Sequence, residues 1–165
     1  MLALWAAVVA ERLGFDRDEA ATLGRAVSGL NAQTKGRRLG LFKAAPGAVK
    51  AHRHAARTGE PGHVALMGRE VPVVRTPAGL RAAKDGKPDD PASVARYLES
   101  KFGAALPAAR AAMEKLAAAF PPEQLAEQAF GLYEAFRPAI PAGARGWGAK
   151  GTLDLARIAA LAGRR

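Results

Sequence analysis

Lys50, Arg53, His54 and Arg57 stand at i, i+3, i+4 and i+7, the spacing of one helical face. A cationic row of this kind can follow a nucleic-acid backbone, each side chain neutralising a phosphate and releasing the counterion held there. Its plainer reading is a face that meets only water, since like charges at these spacings repel. Upstream, Lys35, Arg37 and Arg38 surround Gly36, and Lys43 follows. Arginine presents a planar fork of N–H donors that fits a phosphate. A helix C-cap would explain Gly36 and one cation beside it, but not three. Lys35, Arg37, Arg38, Lys43, Lys50, Arg53, His54 and Arg57 are therefore the candidate nucleic-acid contacts. Their chemistry is binding rather than bond-making.

The charge of the whole chain points the same way. Of 25 Lys and Arg, twelve fall within Lys35–Lys87, against three of the 15 acids. That third of the sequence carries a net +9 of the chain's +10. Such an excess bears on partners, not on fold. Polyanions are the natural ones, duplex DNA first, held mainly through phosphates. Phe42 is the one aromatic residue in the stretch. A base-stacking platform for single strands is accordingly not expected.

Other constellations carry less. Gly146-Trp147-Gly148-Ala149-Lys150-Gly151 has the glycine spacing of a dinucleotide-binding loop. That loop needs a strand before it, and Pro138–Arg145 is a poor strand. Trp147 reads instead as an anchor for a Gly-rich loop. His52 and His54, two residues apart, lie on different sides of a helix, and no third ligand has zinc spacing. Without cysteine there is neither a disulfide scaffold nor a thiolate metal site, which fits a reducing compartment. Asp89-Asp90 is more economically a turn and a helix cap than a catalytic pair. No Ser–His–acid cluster stands out. No cofactor and no metal are expected, and the chain reads as a binding protein rather than an enzyme.

These residues must be positioned by helices. Leu2–Leu13 predicts a helix with Trp5, Val8, Val9 and Leu13 as its apolar stripe, ended by Gly14. Asp16 with Glu19 makes a capping box for a second helix to about Thr34. That helix buries Ala20, Leu23, Val27 and Leu30, and Gly24 and Gly29 permit close helix approach. The pair resembles a helix-turn-helix over the first 35 residues, with Thr22 and Arg25 as the base readers. It departs from that motif at Asp18 and Glu19, whose carboxylates would repel phosphates where the recognition helix enters the groove. A structural αα-hairpin is the expected role. A third helix is predicted from Pro46 to Arg57.

His63–Arg75 gives the β signal. Val64 and Leu66 form one arm, Val71 and Val73 the other, with a type II′ turn at Gly68-Arg69. Pro72 places its arm at an edge. Thr76–Pro91 reads as a loop. Helices then follow from Asp90-Pro91, Pro107 and Glu123, and a last one capped by Thr152 carries Leu155, Ile158 and Leu161. The expected fold is mostly α: about seven helices in a bundle-like domain with one small antiparallel β-hairpin. It spans 1–165 as one domain, divisible into a basic N-terminal segment (1–87) and a helical C-terminal segment (91–165) joined at 76–91.

Leu2–Ala10 is about half the ~20 residues of a membrane span and lacks a basic leader. The chain is accordingly read as soluble and cytoplasmic. Two functional alternatives differ in class. One is a helical interaction module for an acidic protein partner. The other is a binder of a small phosphorylated or carboxylated ligand.

Overall fold

Leu2–Ala10 contains no charged residue, so a helix built from it has no side to offer to water. The computed structural model describes residues 1–34, 59–138 and 153–164 and places that helix at the centre of the fold. α1 (Leu2–Arg12) is buried at every position from Leu2 to Ala10, with Arg12 exposed at its end. The expected apolar stripe is thus a fully buried cylinder. α1 ends in a Schellman motif: Phe15 N–H donates to the Ala10 carbonyl and Gly14 N–H to that of Glu11. Gly14 takes φ 102°, which a side chain would resist.

α2 (Arg17–Thr34) starts with the expected capping box. Glu19 N–H donates to Asp16 Oδ1 at 2.8 Å, and Asp16 N–H to Glu19 Oε2 at 3.1 Å. Ala20, Leu23 and Val27 are buried, with Leu30 packed partly against the core. Gly24 faces Ala3 and Ala7 of α1. Three small residues there bring the two helix backbones into close approach.

The β region is larger than a hairpin. β1 (Pro61–Leu66), β2 (Arg69–Thr76), β3 (Gly79–Lys84) and β4 (Lys87–Pro88) form one antiparallel meander in that order. Three corrections follow. The first turn is Met67-Gly68, not Gly68-Arg69; both residues have positive φ, 50° and 73°, the backbone of a type I′ turn. Pro72 lies on a central strand. Counting outward from the Leu66↔Arg69 pair, its nitrogen points away from β1, and the β2–β3 ladder begins only at Val73↔Ala82. No ladder donor is therefore missing. Finally, Thr76–Pro91 is not a loop but holds β3 and β4, turning at Asp85-Gly86 with φ 52° and 76°.

β3 would be an open edge along Leu80–Ala82, because β4 pairs only with Ala83 and Lys84. α2 closes it with side chains. Leu80 N–H donates to Glu19 Oε1 at 3.1 Å, and Ala82 N–H donates to Thr22 Oγ1 at 3.0 Å. Both acceptors are buried. Thr22→Val would leave the Ala82 N–H without an acceptor in the interior. We expect a loss of about 1–3 kcal/mol in urea unfolding, with Thr22→Ser close to wild type. Equal stability of the valine variant would show that this bond does not hold helix to sheet.

The second half is helical among the described residues. α3 (Pro91–Phe102) is capped by Asp90, whose side chain accepts from Ala92 N–H at 3.1 Å. A short 3-10 turn leads into α4 (Leu106–Ala118), and α5 (Pro122–Phe136) follows. α6 (Leu155–Ala162) is capped by Asp154, which accepts from Arg157 N–H, so the cap is two residues after Thr152, itself outside the described residues. Leu155 points outward; Ile158 is the buried residue of that helix.

α1 binds this half through Trp5, whose indole N–H donates to the Ala129 carbonyl at 2.8 Å. Trp5 also meets Phe136 edge-on at 5.4 Å between ring centres. Arg110 of α4 pairs with Glu11 of α1 and with Glu114. The described residues thus give a mostly α fold with six α-helices and one small four-stranded sheet. The helix expected over Pro46–Arg57 lies outside them. No helix among them is long and apolar enough to cross a membrane.

Candidate functional site

Charge is divided sharply along the chain. All 15 acids fall in the described residues, together with 15 of the 25 Lys and Arg, which gives those residues a net charge of zero. The other ten cations include seven between 35 and 58, a stretch without one Asp or Glu. The eight candidate contacts Lys35, Arg37, Arg38, Lys43, Lys50, Arg53, His54 and Arg57 all lie in that stretch, outside the described residues. So do Trp147 and the glycines around it. The fold fixes where the stretch is attached. It leaves α2 after Thr34 and rejoins at Gly59, whose N–H donates to the Arg75 carbonyl at 2.9 Å.

Within the described residues, several cations serve the fold. Arg81 is buried, donating to the Leu80 and Ala78 carbonyls, with Asp18 at 3.8 Å. Arg69 is buried and donates to Asn31 Oδ1 at 3.2 Å, linking the β1–β2 turn to α2. Arg12 donates to the Phe120 carbonyl at 3.2 Å.

Thr22 and Arg25, the base readers of a recognition helix, part company here. Thr22 has no exposed surface and is committed to β3. The N-terminal turn of α2 binds the sheet through Glu19, so it is unavailable to a groove. The αα-hairpin role fits this geometry and the recognition-helix role does not.

Arg25 is placed differently. Its guanidinium carbon lies 4.2 Å from the centre of the Tyr97 ring on α3, and Lys101 Nζ lies 5.8 Å from the same centre. Both distances are within cation–π range. Asp89 sits half-buried nearby, and burial raises its carboxyl above the usual carboxylate range although Arg25 and Lys84 pull it down. Sequence reading passed over this group. Tyr97 and Lys101 share a face by their i, i+4 spacing, but nothing in the sequence brings Arg25 to them.

The described residues hold no cluster of three His, Asp or Glu that could ligate a metal. Every buried side-chain nitrogen and oxygen among them has a hydrogen-bond partner. No protein-family model, no curated protein and no solved structure matches the chain.

Proposed function

We propose that the protein binds nucleic acid, duplex DNA in the first instance, through phosphate contacts made by Lys35, Arg37, Arg38, Lys43, Lys50, Arg53, His54 and Arg57. The observation that carries this is the charge partition. The described residues sum to zero net charge, and between α2 and β1 the sequence holds seven Lys and Arg and no acid. Cations that only solubilise a surface are ordinarily mixed with acids, as they are elsewhere in this chain. A single-sign segment instead concentrates potential where a polyanion would meet it. The interaction-module alternative finds less support, since Leu155 is the large apolar residue exposed among the described ones.

The test is fluorescence anisotropy of a labelled duplex at two salt concentrations. Binding should weaken steeply with salt. Replacing Arg37 and Arg38, or Arg53 and Arg57, by Ala should lower the log–log salt slope by roughly 0.9 per lost contact. All sequences should be affected alike, because phosphate contacts carry no base information. Thermal stability should hold, since cations that serve a phosphate partner contribute little to folding. No binding at low salt would end the nucleic-acid proposal. Binding unchanged in both variants would move the contacts away from these residues.

A further inference from the structure

We propose that Arg25, Tyr97 and Lys101 form a second phosphate site, on the face where α2 meets α3. Two cations from different helices converge on one aromatic ring, at 4.2 and 5.8 Å. Such convergence is unfavourable between like charges unless something of opposite sign shares it. Among the described residues neither Arg25 nor Lys101 has a carboxylate within salt-bridge distance, whereas Arg81, Arg96 and Arg110 each have one. The ring quadrupole offsets part of the repulsion but takes up no hydrogen-bond donor. A guanidinium lying over a ring uses its face for that contact. Its in-plane N–H groups are left for an acceptor, and phosphate oxygens match their spacing. Lys101 adds a second positive charge at the same ring. Asp89, half-buried nearby, is the acid that would compete with a phosphate for Arg25; burial raises its carboxyl above the usual carboxylate range, and Arg25 and Lys84 pull it down.

The competing explanation is a staple: Arg25 holds α3 to α2 and nothing more. Arg25→Met with Lys101→Met separates the two, because methionine keeps much of the apolar stem and removes the charge. The source of the phosphate, a nucleic-acid backbone, rests on the function proposed above. The site itself does not.

Sodium phosphate is titrated into the full chain at constant ionic strength, following the Arg25 Nε–H and Tyr97 ring signals by NMR. Saturable shifts at both are expected. The double variant should bind phosphate at least about tenfold more weakly, since each charge-assisted hydrogen bond contributes about a factor of ten or more. Shifts that fail to saturate, or that persist in the variant at Tyr97, overturn the site. The second arm is duplex DNA. A salt slope lower by about 1.8 in the double variant, for two lost contacts, assigns the phosphate to the backbone. Phosphate binding with an unchanged slope, or with no DNA binding at all, keeps the site and overturns the backbone as its source.

Discussion

Gly24→Ala should cost about 3 kcal/mol, the upper end of what overpacking a core does. A Cβ at this position would lie 2.5 Å from the Ala3 carbonyl oxygen, 2.6 Å from the Ala7 nitrogen and 2.9 Å from the Ala7 Cβ. The first two are backbone atoms of α1, so no side chain can rotate away. The helices must separate, and α1 has packed neighbours on its other sides. Gly29 is the control on the same helix. Its Cβ would meet nothing within 4 Å, so Gly29→Ala should gain roughly 0.5–1 kcal/mol from helix propensity alone. Urea unfolding of the two variants should therefore move in opposite directions. Equal midpoints would mean that α1 and α2 do not approach as closely as described.

The second large effect is at Trp5. It is fully buried and lies across the join between α1 and α5. Trp5→Ala opens a cavity that its rigid neighbours cannot close, and should cost about 3–5 kcal/mol. Trp5→Phe keeps an aromatic ring at the site but removes the indole N–H from the Ala129 carbonyl, which retains its helical bond, and leaves part of the indole volume empty. The expected loss is smaller, about 1–3 kcal/mol. In a Trp147→Phe background the Trp5 indole should resist acrylamide quenching, as a side chain with no exposed surface must. Ready quenching would contradict this placement of α1.

Helix starts and stops were legible because they depend on local chemistry. Gly14, the Asp16–Glu19 box and Asp90 before Pro91 each act within a few residues, and each sits where it was expected. Gly24 was legible as a point of close approach, though not which residues it would meet; Gly29, expected to permit the same, faces open space instead. β3 was missed because Gly79-Leu80-Arg81-Ala82-Ala83-Lys84 has low strand propensity. It forms a strand because β2 pairs with one edge and Glu19 and Thr22 take the amides of the other, which no local rule reveals. Asp85-Gly86 did carry a signal, being the dipeptide most suited to a two-residue hairpin. Pro72 misled because a proline is barred only where its nitrogen faces a partner, and register decides that. Among the candidate contacts, charge and spacing were plain, whereas the Arg25–Tyr97–Lys101 group depends on two helices meeting.

The hydrogen bond from Trp5 to Ala129 joins residues 124 apart in sequence. On a ribosome, the chain between them takes on the order of ten seconds to appear. During that interval α1 exists without the helix that covers its indole. Nine consecutive apolar residues are then open to any other hydrophobic surface, a state that favours aggregation or capture by a chaperone. The partner that arrives first is α2, only a few residues downstream, and the tight seam at Gly24 lets it shield one side of α1 at once. The glycine therefore guards the nascent chain as well as the finished fold. A bulkier residue there would lengthen the exposure at the stage when the protein has least protection from its neighbours.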